Sequence, residues 1–373
     1  MTINLSTTML TGLSKTAPAI DGDSLFGTAV VWEDARNQGA ITMAFSGSSP
    51  PYSPIALNSS WACFDTPAVA VASDWESLFV AFVDRDGYVQ LASSDDGWTG
   101  TQTLSAEGVH AGPALAYSSD RLYIAWQTST SQLAFATCDR SGQITHFETD
   151  KRLTSRPTIC VDDPDRIYVL CGGDMAGGPK PILIYLSVDG GKTFTDVATP
   201  ATPCFGPPSL VLLDQFYLAW ADGQTSQLRL AQTSDLSTYT AMDYNVGCHG
   251  GGPALFPMAT ITNPDDPASW TFTLSSGWTI GAADSTNHHV AVGSFGPLTP
   301  SAAQIERQQR SIAKRTAPRA PNPCPDPLTV YNPATGKCVP RAGCWGNCVL
   351  SSISRGLFNP IAYAYCVIKC KSG

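Results

Sequence analysis

One chemistry recurs along this chain: an aromatic ring or amide, then a carboxylate, at the end of an apolar run. It appears as Trp32-Glu33-Asp34, Phe82-Val83-Asp84-Arg85, Trp126-Gln127, Asp174 and Trp220-Ala221-Asp222. Arg36 follows the first of these, and His110, Arg156 and His249 occupy a second recurring slot just before a proline. A flat apolar face beside bidentate acceptors is what stacks on a sugar and holds its hydroxyls. Carboxylates brought to the right separation would instead hydrolyse a glycosidic bond, and Glu33, Asp34, Asp84 and Asp222 are the acids available for that. The same residues fit a plainer reading. Tryptophans at equivalent positions build a core, and aspartates after a strand cap their own turns.

The elements that must position these groups repeat. Six times, a proline and a small residue open a short apolar run: Pro18-Ala19, Pro67-Ala68, Pro113-Ala114, Pro157-Thr158, Pro208-Ser209 and Pro253-Ala254, at intervals of 49, 46, 44, 51 and 45 residues. Each run is followed by a polar turn and a second strand rich in aromatic and β-branched residues, as in PALAY-SSDR-LYIAW from Pro113 to Trp126. Third strands follow: ITMAFS, YVQLASS, QLAFATC, ILIYLS and QLRLAQT. In the sixth repeat SWTFTLSSGW and HHVAVGSF supply the middle strands. Alternation is incomplete, as expected for strands buried on both faces. A period of this length carried by strands predicts an all-β fold, a six-bladed β-propeller over residues 1–298. The opening MTINLSTTML is expected to add an outer strand that closes the ring on the last blade.

Ser187-Val188-Asp189-Gly190-Gly191-Lys192-Thr193-Phe194 fits S-x-D-x-G-x-T-F/W at the turn between third and fourth strands. It resembles the Asp-box (BNR repeat) of sialidase-like propellers. Ser93-Ser94-Asp95-Asp96-Gly97-Trp98-Thr99 resembles a second copy without the final aromatic, and Thr233-Ser234-Asp235 and Thr137-Cys138-Asp139 resemble decayed ones. The resemblance covers roughly residues 14–298. It implies structural roles for Ser187, Asp189, Gly191, Thr193 and Phe194, on the face opposite the candidate site residues. Sialidases of this kind use an arginine triad, a Tyr-Glu pair and an Asp, with the first arginine in an R-I-P segment opening blade 1. The matching stretch here is Lys15-Thr16-Ala17-Pro18, without arginine. The expectation is therefore a lectin-like, non-enzymatic propeller that binds glycans. A glycoside hydrolase with rearranged acids is the alternative.

Charge divides the chain. Residues 1–300 carry 12 Lys/Arg and 29 Asp/Glu, formally −17, whereas residues 301–373 carry 10 and 2, formally +8. An acidic propeller argues against nucleic acid as a partner. No apolar run is long enough to span a membrane, and no cofactor or metal motif is present. Six cysteines crowd the last 50 residues, at 324, 338, 344, 348, 366 and 370. That density reads as a disulfide framework in a separate basic minidomain over 324–373, after a helical and Pro-rich linker over 299–323. Cys324 and Cys338 are expected to close a small loop. Cys344-x3-Cys348 and Cys366-x3-Cys370 resemble an α-hairpinin, which implies the pairs Cys344–Cys370 and Cys348–Cys366 on two antiparallel helices. The tail would dock on its own propeller or meet an anionic surface. A third function reading makes it the effector of a toxin- or defence-type interaction protein. Within the propeller, Cys160 and Cys171 lie on successive strands and are candidates for a further bridge. The oxidised-looking tail points to an extracellular or cell-surface setting, although the opening residues lack a recognisable secretory signal.

Overall fold

The computed structural model describes residues 5–298 apart from 24–26, 47–51, 73–74, 76, 110, 119, 164, 174–176, 214, 261–270 and 281–287. Beyond these it describes 305, 309, 329–332 and 337–340. The chain forms an all-β, six-bladed propeller. Blade 1 is built from Ala19–Asp23, Gly27–Asp34, Ala40–Phe45 and Ile55–Ala56, and blade 2 from Ala68–Ala72, Ser77–Val83, Val89–Ser93 and Gln102–Thr103. Blade 3 comprises Ala114–Ser118, Arg121–Gln127, Leu133–Asp139 and Ile144–Phe147, and blade 4 comprises Thr158–Asp163, Arg166–Cys171, Leu183–Ser187 and Thr195–Val197. Blade 5 runs through Pro203–Leu212, Phe216–Asp222, Gln227–Thr233 and Thr240–Gly247, with the short Lys180–Pro181 added beside its first strand. In blade 6, His249–Thr260, Thr271–Ile280 and His288–Leu298 are completed by the N-terminal strand Leu5–Ser14, antiparallel to the third. Pairing between the two ends of the propeller thus closes the ring, as the opening residues suggest.

Six apolar clusters fill the six interfaces between blades. Val31, Met43, Val69 and Val80 represent the one between blades 1 and 2. Leu10, Val30, Trp32 and Val292 represent the one across the closure, between blades 6 and 1. Strands therefore bury both faces, which is why they read as near-continuous apolar runs. A fully buried valine or leucine contributes ~1.5–3 kcal/mol, so the ring is held mainly by these wedges.

The first strand of each blade faces the central channel, where an edge strand leaves unpaired backbone groups. The sequence handles this in two ways. Proline near the start of each first strand has no N–H to leave unpaired. Further along, side chains from one blade bond the inner edge of the next: Val71 N donates to Asp21 Oδ2 (2.8 Å), Thr158 Oγ1 to Pro208 O (2.5 Å) and Leu255 N to Ser209 Oγ (2.9 Å). In blades 5 and 6 the first strands begin several residues before Pro208 and Pro253. Register breaks between Phe205 and Ser209 and between His249 and Ala254 accommodate these prolines.

At the turn following the third strand of blade 4, Asp189 Oδ1 accepts from Thr193 N (2.9 Å), Asp189 Oδ2 from Thr193 Oγ1 (2.7 Å), and Ser187 Oγ from Gly191 N (2.8 Å). Gly191 sits at φ +91°, and a Cβ there would lie 2.0 Å from the Phe135 ring of blade 3. Phe194 packs edge-on against that same ring, 5.3 Å between centroids. Blade 2 shifts the pattern by one residue. Asp96, not Asp95, takes the amides of Thr99 and Gly100, while Asp95 accepts from Ser77 Oγ (2.6 Å).

Cys160 and Cys171 are not bridged: neither forms a disulfide, and both are buried. Cys160 pairs with Tyr168 in the ladder, and Thr158 with Leu170. That register sends the two cysteines to opposite faces of the sheet, Cys160 toward blade 5 and Cys171 toward blade 3. In the tail, Thr329–Asn332 and Lys337–Pro340 form an antiparallel hairpin that includes Cys338. Cys324, its expected loop partner, and the expected helical hairpin with Cys344, Cys348, Cys366 and Cys370 lie outside the described residues.

Candidate functional site

Loops between second and third strands, and those leading into each blade, share one face of the ring, the mouth face. The described aromatic-acid positions reach this face, and the structure sorts them. Trp32, Trp126 and Trp220 are buried between blades and offer no face to a ligand. A Cβ on Gly12 would sit 2.7 Å from the Trp32 ring, so the closing strand lies directly on it. The tryptophans are core.

Three aspartates are turn caps. Asp34 Oδ1 accepts from Arg36 N (3.0 Å). Asp84 Oδ1 accepts from Asp86 N (3.0 Å) and Tyr88 N (2.9 Å), and its Oδ2 from Gln90 Nε2 (2.7 Å). Asp222 Oδ1 accepts from Gln224 N (3.0 Å) and Thr225 N (2.8 Å), with Arg229 Nε 3.3 Å from its other oxygen. Burial pushes the Asp222 carboxyl up, but the Thr225 and Gln224 amides and Arg229 outweigh it, and its pKa falls below the usual value. His110 and Asp174 lie outside the described residues.

Glu33 is different. It is 3% exposed, and one oxygen accepts from Lys15 N (3.2 Å). Burial raises its pKa, the Lys15 amide opposes this, and the Asp34 and Asp65 charges add to the rise. In the neighbouring blade 6, His249 and His288 stack with centroids 5.7 Å apart. Burial lowers both pKa values, and for His288 the neighbouring ring adds to it.

The loops of blades 1 and 2 form a continuous patch. Arg85 Nη2 donates to Gln38 O (3.3 Å), Cys63 N to Gly39 O (2.8 Å) and Val109 N to Gly87 O (2.7 Å). Asp65 fastens it to blade 3: its oxygens accept from Thr66 N and Gly112 N, each at 2.6 Å. Two large apolar side chains stand exposed here, Phe64 at 49% and Tyr88 at 38%. Arg36, Arg85 and Asp86 are exposed beside them in the same loops. Sequence reasoning misses Phe64, Asp65 and Tyr88. The signal for the first two was present, because Phe64-Asp65 fills the pre-proline slot that also holds His110, Arg156 and His249.

A cavity of about 410 Å³ runs through the centre, lined by the first strands of all six blades. Six residues immediately before the blade prolines form a collar at its mouth: Ala17, Thr66, Gly112, Arg156, Pro207 and Gly252. Five are small or compact. A Cβ on Gly112 would meet Thr66 O at 2.2 Å, and one on Gly252 would meet Pro207 O at 1.7 Å, so backbones touch around the collar. Arg156 is the exception, partly buried and lining the cavity. Burial lowers its pKa and the Asp65 charge opposes that. A second cleft of about 420 Å³ lies on the opposite face, between the turns of blades 2 and 3, with Trp75, Asp96 and Arg140 on its walls. No group of metal-ligating side chains occurs among the described residues.

No protein-family model matches the sequence, and comparison with curated proteins gives no match. Solved structures do resemble it. A triple arginine-to-alanine mutant of AofleA from Arthrobotrys oligospora is 9% identical, with TM-score 0.50 over 80% of this chain and 94% of that one. Trypanosoma rangeli sialidase, solved with the inhibitor DANA, is 13% identical, with TM-score 0.50 over 89% of this chain and 62% of that one. Aleuria aurantia lectin, described as a six-bladed β-propeller with a novel fucose recognition mode, is 12% identical, with TM-score 0.47 over 74% of this chain and 91% of that one. At such identities the likeness is one of fold, and the fold this chain shares with the first two is the propeller.

Proposed function

We propose that the protein binds glycans without turning them over, through the mouth-face patch of blades 1 and 2. The observation that carries this reading is the exposed Phe64 beside the fixed Asp65. Tyr88, Arg85 and Asp86 belong to the loops bonded around it. Phe64 and Tyr88 place two exposed rings in one patch, and a ring flanked by held acceptors and guanidinium donors matches the face and hydroxyls of a sugar. The blade-4 turn is, in this reading, an Asp-box: Asp189 and Ser187 organise the turn and take no part in binding. The sialidase name among the structures of similar shape agrees with a carbohydrate ligand. A glycan array probed with the full chain should give hits. Phe64→Ala should weaken them about tenfold, the scale of one lost stacking contact with its buried area, while circular dichroism and Tm stay unchanged. An array without hits overturns the proposal.

One observation favours the glycoside hydrolase reading, namely Glu33, buried and with a raised pKa as a general acid requires. Turnover of an aryl glycoside that disappears in Glu33→Gln would establish it.

A further inference from the structure

Most side chains on the wall of the central channel are hydrocarbon, and the backbone groups of the inner strand edges lie between them. Proline rings line its mouth, and aliphatic residues such as Val69, Leu115, Leu212 and Leu255 continue it inward. Besides the thiol of Cys160, five side chains on this wall carry polar atoms. Asp21, Thr158 and Ser209 are committed to the inner edges of neighbouring blades. Tyr117 lies edge-on to Trp75, 5.2 Å between centroids. The fifth is Arg156, at the collar, whose guanidinium makes no hydrogen bond or ion pair with the described residues. Asp65, the opposite charge that bears on it, already holds the Thr66 and Gly112 amides. A quasi-six-fold collar of compact residues with one arginine is asymmetric in a way that the ring itself does not require.

The geometry points to a second ligand for this protein: an unbranched amphiphile with an anionic head, its alkyl chain in the channel and its head on Arg156. A pocket lined mainly by apolar side chains with one charged anchor is the usual form of such a site. At the ~30 Å³ that a water-sized group occupies, the 410 Å³ cavity accepts a chain of about a dozen carbons. Asp21 does not oppose the head. It lies four strand positions further in than the collar residue of its blade, roughly 13 Å at ~3.3 Å per residue.

The test is titration of the full chain with dodecanoate and, separately, dodecyl phosphate, followed by calorimetry below their micellar concentrations. At least one should bind saturably at one site per chain, and which one does so identifies the head group. Hexanoate should bind at least about tenfold more weakly. Arg156→Gln should weaken the long-chain ligand by about tenfold or more, with Arg156→Lys restoring most of it, the scale of a lost charge-assisted contact. Ala116→Phe, which fills the channel, should abolish binding. If that variant does not fold, the arginine pair still decides the matter. No saturable binding to the folded wild type, or binding left unchanged by Arg156→Gln, overturns the proposal. Phe64→Ala should not affect this ligand, so failure here and failure of the glycan reading are distinguishable.

Discussion

Asp21 of blade 1 accepts the backbone N–H of Val71 in blade 2, at 2.8 Å across 50 residues of sequence, about one repeat. The contact supplies a partner to an inner edge that no strand covers. Thr158–Pro208 and Ser209–Leu255 do the same at two other blade junctions. Asp21→Ala would leave a buried N–H unsatisfied, at a cost of ~1–3 kcal/mol. Thermal or denaturant unfolding should show that loss, with Asp21→Asn nearer to wild type because it keeps an acceptor.

Glycine is required at 191 by two independent facts, φ +91° and a Phe135 ring atom 2.0 Å from any added Cβ. Gly191→Ala should destabilise by at least ~2 kcal/mol. Gly142 provides the control. Its φ is +82° with nothing within 4 Å of the added carbon, so Gly142→Ala should cost only about 1 kcal/mol. Equal losses in a melting comparison would contradict the packing of the blade-4 turn on blade 3.

Hydrogen bonds from Thr193, chiefly its hydroxyl and amide, hold the Asp189 carboxyl at about 2, below its ordinary 3.8. A depressed folded-state pKa gives stability that is present above the unfolded value and fades as pH falls toward the folded one. The stability gap between wild type and Asp189→Asn should therefore be constant above about pH 5 and close between about pH 4 and 2. The side chain is near the surface, so high salt should narrow the gap as well. A gap that widens on acidification would contradict the assignment.

Cys63, Cys138, Cys160, Cys171, Cys204 and Cys248 are all buried and form no disulfide. Burial pushes Cys204 up to about 11 and Cys248 to about 12, and Cys63 rises further. Thiolate is the reactive form. A thiol reagent at neutral pH should label none of the six in the folded propeller and all six after denaturation. Peptide mapping without reduction should find no Cys160–Cys171 link.

Much of the ring was legible because its cause is local. Prolines opening inner strands, apolar runs buried on both faces and turn aspartates are each imposed by one blade's own geometry, so they recur at a readable period. The closing role of residues 5–14 was legible for a related reason, since a strand-like segment ahead of the first proline has only the last blade to complete. The site was less legible. Trp32 and Phe64 are both aromatics beside an acid, yet one lies under Gly12 in an interface and the other faces solvent. Sequence records side-chain type, while exposure depends on which neighbour arrives from another blade. Arg156 was visible as a pre-proline residue, but its singularity shows only when five compact residues stand round the same collar. The Cys160–Cys171 pairing failed on parity: successive strands bring the two near in sequence order, and the register turns them to opposite faces.

Hydrogen exchange on the full chain, with and without a glycan recovered from the array, tests the central claim most directly. Bound sugar should slow exchange at Cys63–Thr66 and Asp84–Val89 on the mouth face and leave the turn at Asp189–Phe194 unchanged. Protection confined to the third-to-fourth-strand turns, with none in the mouth-face loops, would contradict the account.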